Sequence, residues 1–393
     1  MGSFSCLTFN DYPIFEYKNS YAQEAVDLLF LPQDYVSEER PNSSLNVLVW
    51  GDEQQQKKGS YTFKGFRQTA KVCRQRLEIY GISYSKAKKE FEAARIVAKE
   101  EGFYGYPIHK LSYRKYLQEI GTIISSRNRD LDVIVNGLYG NITDSLITGE
   151  LSIVGQPYTS SLYSILSVIP DDAIVEYDLS EVIGNGWVNE TQALDITIEK
   201  IIVLTEGRTD VEFISSSLQF LYPHLYHYYH FMNFDDFKVE SNASALVKFV
   251  ISLAASNIKH PILVLFDNDT TGILEMKRLL SVRLGANFKV LKYPDLKSVK
   301  KYPTISPAGT KKMDINGLAC GIEMYLGSNV LLKEGKYIPV RWKAYIEKEN
   351  KYQGELSEKA YVQDVFRKII KSGHESDFSS IQLILQMMFC AFQ

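Results

Sequence analysis

The sequence predicts an α/β protein: a parallel sheet with helices on both faces, preceded by a mostly helical α+β region and followed by a helical C-terminal segment. Three observations carry this. From about Leu194 onward, short β-branched runs alternate with helix-length amphipathic runs, the signature of successive βα units. Ahead of them, strand-like runs are mixed with charged helical stretches separated by glycine. The composition, 45% hydrophobic and 23% charged over 393 residues, is that of an ordinary globular chain able to bury a large core without disulfide or metal staples. We expect domains at 1–195, 196–330 and 331–393.

Phe4 to Phe9 and Tyr12 to Tyr17 read as strands, and Ala22 to Leu31 as a helix. From Ser37 to Ser60 the text is polar and loop-rich, broken by a strand candidate at Leu45 to Trp50. Phe66 to Ile79 and Ser85 to Glu101 are charged helix formers parted by Gly81, a helical hairpin; Tyr113 to Ile124 is a further helix. Asp130 to Val188, rich in Gly, Ser, Thr, Val and Ile, reads as strands and loops.

In the second half, Ile201 to Leu204, His230 to Phe234, Ile262 to Phe266 and Phe288 to Leu291 are strands. Asp210 to Leu221, Ala243 to Ser256 and Ile273 to Leu284 are the helices between them. Ala344 to Lys351, Glu358 to Lys371 and Ile381 to Phe392 read as closing helices.

A net charge of −3 gives no whole-chain field that attracts nucleic acid, so any anion-binding surface must be local. Cys6, Cys73, Cys320 and Cys390 form no CxxC pair, which argues against a zinc ribbon or disulfide framework. The opening residues MGSFSCLTFN lack a signal-peptide pattern, and no apolar run approaches the roughly 18–20 residues of a membrane helix. The expectation is a cytoplasmic protein with no membrane partner.

Candidate chemistry sits at strand ends, where parallel sheets place their ligands. Thr205-Glu206-Gly207-Arg208-Thr209-Asp210 follows the first of these strands and Asp267-Asn268-Asp269 follows the apolar one. Residues two apart on extended backbone face the same way, so Asp267 and Asp269 present two carboxylates to one point. Gly207 permits a tight turn, Asp210 swings back from the next helix, and Glu206 completes an acidic pocket. Hard oxygen ligands of this kind suit Mg²⁺ or Mn²⁺. The competing reading is that Asp267 or Asp269 simply caps the helix that follows. An EF-hand is excluded, because Arg278 stands where the bidentate Glu belongs.

The order Glu-Gly-x-x-Asp, then Asp-x-Asp, resembles the signature of the Toprim domain. Thr205 to Gly327, with Lys292-Tyr293-Pro294-Asp295, Tyr302-Pro303-Thr304, Asn316-Gly317 and Ile322-Glu323, is similar to the Toprim module of HEPN/Toprim-associated bacterial proteins, many linked to phage defence. It also resembles that of the overcoming-lysogenization-defect nucleases. Arg74-Gln75-Arg76-Leu77, Arg341-Trp342 and Tyr352-Gln353-Gly354-Glu355 extend the likeness to HEPN/Toprim-associated proteins over most of the chain. The resemblance implies a Toprim-type sheet and metal-dependent phosphodiester hydrolysis of DNA or RNA. It assigns Glu206 as general acid or base and as a metal ligand, Asp210, Asp267 and Asp269 as Mg²⁺ ligands, and Glu323 as the acid that would admit a second ion. The alternative is a non-catalytic nucleic-acid-binding or regulatory subunit acting with a partner.

Between Lys292 and Lys312 six lysines face one acid, Asp295. Lys311 and Lys312 are candidates for stabilising transition-state charge, and Arg208, Lys292, Lys297, Lys300 and Lys301 for holding substrate phosphates. The R-x4-6-H ribonuclease motif occurs only as Arg367 to His374, where surface residues are the better reading, so the HEPN-like region is expected to be a scaffold or dimerisation element in a homo-oligomer. His224, His227 and His230, with Asp235 or Asp236 as loose companions, read as aromatic packing rather than a zinc site. No Walker motif is present, so energy-dependent control needs a separate ATPase or sensor partner.

Overall fold

A computed structural model describes residues 2–100, 110–129, 141–234, 242–373 and 376–393. The chain divides into two units, Met1–Ile198 with Phe392–Gln393, and Glu199–Ala391.

The first unit is built on an antiparallel sheet of β1 (Phe4–Phe9), β2 (Tyr12–Lys18), β3 (Tyr35–Pro41), β4 (Ser60–Thr69) and β5 (Ile174–Asp178), in the order β2-β1-β5-β4-β3. Helices Ala70–Ile79, Tyr84–Glu100 and Tyr113–Ser126 gather around a central helix, Tyr158–Leu166. The core joins Leu7, Phe9, Phe66 and Tyr177 of the sheet to Leu77, Phe91, Tyr116 and Leu162 of the helices. Arg76 is fully buried inside this unit; its Nη1 donates to Leu29 O at 2.7 Å and to Asp34 Oδ2 at 2.5 Å, so the charge is compensated where it is desolvated.

Three sequence expectations change here. Leu45 to Trp50 is not a strand: Asn46 Oδ1 accepts from the Leu48 amide at 3.0 Å and starts a helical turn, Val47–Trp50, despite the β-branched residues. The hairpin's first helix begins at Ala70, because Phe66 is held in β4 between Tyr35 and Tyr177. Asp130 to Val188, where described, carries three helices, Ile142–Thr148, Tyr158–Leu166 and Ser180–Gly184, and one strand, β5, joined by turns and loops; residues 130–140 lie outside the described residues. Serines lowered the apparent helix signal. In the helix they bury well, because Ser164 Oγ bonds back to Ser160 O at 2.7 Å and satisfies itself.

The second unit carries a parallel sheet of β6 (Ile201–Leu204), β7 (Tyr229–Phe231), β8 (Ile262–Phe266) and β10 (Phe288–Lys292), ordered β10-β8-β6-β7. With right-handed crossovers, helix Arg208–Leu221 lies on one face and helices Ala243–Ala255 and Thr270–Leu280 on the other. All five residues of β8 are buried, as expected for a central strand covered on both sides. Helices Lys359–Ser372 and Ser379–Phe389 pack on Arg208–Leu221, with the rings of Phe213 and Phe366 at 5.4 Å.

After β8 the chain makes β9 (Asn268–Asp269), which pairs with β13 (Ala319–Cys320). A second, mixed sheet follows, ordered β12-β11-β16-β17: β11 (Tyr302–Ser306), β12 (Gly309–Met313), β16 (Val340–Ile346) and β17 (Lys351–Leu356). Between them β14 (Leu332–Lys333) and β15 (Lys336–Tyr337) form a small hairpin. The expected helix Ala344 to Lys351 is therefore a hairpin, β16 to β17. Tyr345 and Ile346 are strand residues, and the charged run Glu347-Lys348-Glu349 forms the turn that Asn350 closes at φ 53°.

Candidate metal centre

The loops at the carboxyl ends of β6 and β8 open into one cavity of about 380 Å³. Glu206, Asp210, Asp267, Asp269 and Glu323 all line it, together with Gln353, Glu355 and Lys359. The structure thus brings together the five carboxylates singled out from sequence.

Each acid is placed by its own local structure. Glu206 Oε1 accepts from the Asp267 amide at 2.8 Å, tying the two strand ends together. Asp210, in the first turn of helix Arg208–Leu221, accepts from the buried Tyr293 hydroxyl at 2.5 Å. Asp269 Oδ1 accepts from the Gly272 amide at 2.7 Å and caps helix Thr270–Leu280, so the capping role holds for this residue while its Oδ2 accepts from Gln353 Nε2 at 2.6 Å. Glu323, from a 3₁₀ turn, accepts from Gln363 Nε2 at 2.8 Å and has Lys359 Nζ at 3.8 Å. Asp267 differs: its Oδ1 is buried with no hydrogen-bond partner. Asn268, between the two aspartates, points the other way and bonds Asp295 and Lys292, as strand alternation requires.

Glycines bring the carboxylates close. A Cβ on Gly272 would stand 2.6 Å from Glu206 Oε1 and from Asp267 O, and one on Gly321 would stand 3.1 Å from Glu323 Oε2 and 3.4 Å from Asp267 Oδ2. Neither has positive φ, so what matters here is the missing side chain rather than backbone freedom.

The electrostatics follow from crowding. Burial, then repulsion from Asp269 and Asp210, pushes Glu206 up to about 8. Burial pushes Asp210 up to about 7, against the hydrogen bond from Tyr293. Asp267 is driven well above the carboxylate range by burial and by Asp210 and Glu206, and Asp269 is raised by burial. In each case crowding and burial oppose the charged form, which a cation would favour. Among the described residues no three His, Cys, Asp or Glu side chains are drawn together closely enough to hold a metal ion as they stand. The donor set nevertheless fits a hard divalent cation, because it consists of carboxylate oxygens, faces one cavity and includes an orphaned buried oxygen at Asp267.

The basic candidates lie elsewhere. Lys311 and Lys312 are exposed on β12, and neither lines the cavity. Lys292 is bound to Asp295 at 2.9 Å, and Arg208, Lys297, Lys300 and Lys301 are exposed and also outside the lining. The cation that does line it is Lys359, which sequence reading missed because it arrives on a helix some 150 residues after the first acid. Tyr293, Gln353 and Gln363 were likewise not singled out as site residues. Arg367 is engaged by Glu212 at 2.6 and 2.9 Å, while His374 lies outside the described residues, as do Asp235 and Asp236. His224 and His227 stack edge-on against Tyr222 and Tyr226, whereas His230 is exposed.

A parallel α/β unit with an acidic cleft at its strand ends, preceded by a separate α+β unit, defines the class. Residues 1–201 match the family model HEPN/Toprim N-terminal domain 1, and the chain belongs to this HEPN/Toprim-associated family. The matched span is essentially the first unit, so the cleft lies beyond it. No curated protein and no solved structure matches the chain. No helix among the described residues is long and apolar enough to cross a membrane.

Proposed function

We propose that this protein is a metal-dependent nuclease that hydrolyses phosphodiester bonds of DNA or RNA at a Toprim-type centre, as an effector of phage defence. The observation that carries this is Asp267, a carboxylate with a buried, unpartnered oxygen among four other acids. Such an arrangement is costly unless a cation completes it. Family membership supports a nuclease-related role.

Asp267 and Asp269, with Glu206, Asp210 and Glu323, would hold Mg²⁺ or Mn²⁺. The bound ion would supply a nucleophilic water at neutral pH and charge for the leaving oxygen. The chain's own residues do the rest. Tyr293 and Gln353 fix the rotamers of Asp210 and Asp269. Glu206, oriented by the Asp267 amide, serves as proton acceptor. Lys359, which lines the cavity, would hold a phosphate oxygen of the substrate.

The test is incubation of the purified protein with plasmid DNA, single-stranded DNA and transfer RNA, with Mg²⁺, Mn²⁺ or EDTA, beside an Asp267→Asn control. Cleavage that needs both the metal and Asp267 is expected. A pure wild-type protein that cuts none of them under any condition supports the non-catalytic regulatory subunit instead.

A further inference from the structure

The β16–β17 hairpin carries three aromatic residues that the core does not use. The ring of Tyr352 lies 5.1 Å from that of Tyr345 and 5.9 Å from that of Trp342. Tyr345 is 47% exposed and Tyr352 56%, far more than core aromatics require. Register explains the cluster. Tyr345 pairs directly with Tyr352 and Trp342 with Gly354, so all three rings rise from one sheet face. Gly354 leaves room for the indole; a Cβ there would sit 3.0 Å from Trp342 Cε3. The Tyr345 hydroxyl donates to Asn350 Oδ1, which fixes the ring to the hairpin turn.

The same face is continuous with cationic charge and with the cleft. Lys311 pairs with Thr304, and Thr304 with Val340, two residues before Trp342, which puts the exposed Lys311 on the aromatic face. Two of the hairpin's acids are already neutralised, Glu349 by Lys277 at 2.6 Å and Glu355 by Lys343 at 2.5 Å. Two residues along β17 from Tyr352 and on the same face, Gly354 lines the cavity; Gln353 between them points to the opposite face, where its side chain bonds Asp269.

We propose that this face is a stacking platform for unpaired nucleotides, so that the substrate of the cleft is a single strand of DNA or RNA rather than a duplex. Flat rings beside lysine bind any base face without reading sequence, and a duplex keeps its base faces stacked internally and out of reach. The assignment of the cleft as a nuclease site sets only where the strand is cut; binding to the platform stands apart from it.

The experiment uses the full chain carrying Asp267→Asn, in EDTA, so that no substrate is cut. Fluorescence anisotropy with single-stranded DNA, single-stranded RNA and a duplex of the same sequence measures affinity, and the part of the tryptophan quenching that a Trp342→Phe change removes reports contact at Trp342, since Trp50 and Trp187 also emit. Single strands are expected to bind at least about 10-fold more tightly than duplex. Tyr345→Ala with Tyr352→Ala should weaken single-strand binding about 10- to 100-fold, and Tyr→Phe at both positions should retain it. Comparison of the DNA and RNA arms names the sugar preferred. Equal or tighter duplex binding, or single-strand binding untouched by the double alanine variant, overturns the platform. Persistent platform-dependent binding with no metal-dependent cleavage by the wild type overturns the nuclease reading and leaves the platform standing.

Discussion

Asp267→Asn removes the charge at the centre of the cleft while keeping the size of the side chain. In the metal-free protein the Asp267 carboxyl is driven well above its ordinary range by burial and by its acidic neighbours. A carboxyl raised in this way contributes its stability below its unfolded pKa of about 4 and loses it as pH rises through the folded value. At pH 7 the folded wild type must either keep that proton against its ordinary tendency to ionise or bury an unpaired charge, and both are costly. The amide carries no charge to bury, so the Asp267→Asn protein in EDTA should be more stable than wild type at pH 7 by about 1–3 kcal/mol, the usual cost of an uncompensated buried polar group, read as a Tm rise of several degrees. The difference should shrink toward pH 4. Mn²⁺ should reverse the comparison by stabilising wild type alone, increasingly from pH 5.5 to 8 as protons leave the cleft. Differential scanning fluorimetry across that range reads both effects. An Asp267→Asn protein that melts at or below wild type in EDTA at pH 8, or gains as much from Mn²⁺, refutes the reasoning.

Three further outcomes follow from the structure. Gly321→Ala places a methyl 3.1 Å from Glu323 Oε2 and 3.4 Å from Asp267 Oδ2, and should cut Mn²⁺ stabilisation and cleavage at least about 10-fold with an unchanged circular dichroism spectrum. Asp34→Ala strands the fully buried Arg76 charge and should cost about 3–5 kcal/mol in urea unfolding of the first unit; a loss under about 1 kcal/mol contradicts the buried pairing. Arg367→Ala removes the partner that holds Glu212 below its usual range; the pair is partly exposed, so the loss should be under about 1 kcal/mol at pH 7. It should vanish as acid protonates Glu212, because a lowered carboxyl contributes only above its unfolded pKa.

The parallel sheet was legible because its strands are short apolar runs with turn signals on both sides, and because burial on both faces leaves no alternation to confuse them. Four of the five acids were legible for a related reason: Glu206, Asp210, Asp267 and Asp269 follow the ends of those strands, whereas Glu323, in a 3₁₀ turn far downstream, was singled out only through the family resemblance. What escaped depends on tertiary context. The β16–β17 hairpin reads as helix because Lys343 to Lys351 is rich in helix-favouring Lys and Glu, and only pairing with β11 reveals a strand. Lys359 and Gln363 lie on one face of a helix whose periodicity shows an amphipathic surface but not what that surface faces. The lysines of 292–312 looked like neighbours of the cleft because they are close in sequence; the β11–β12 hairpin carries Lys311 and Lys312 outside the cavity lining.

The acidic cleft is proposed to be a divalent-cation site. A crystal of the wild-type protein grown with Mn²⁺ and measured at the manganese edge tests it directly. Anomalous density in the cleft, bonded to Asp267 at roughly 2.0–2.2 Å and absent from Asp267→Asn crystals, is the predicted result. A map with no anomalous peak among Glu206, Asp210, Asp267, Asp269 and Glu323 at saturating Mn²⁺ would contradict it.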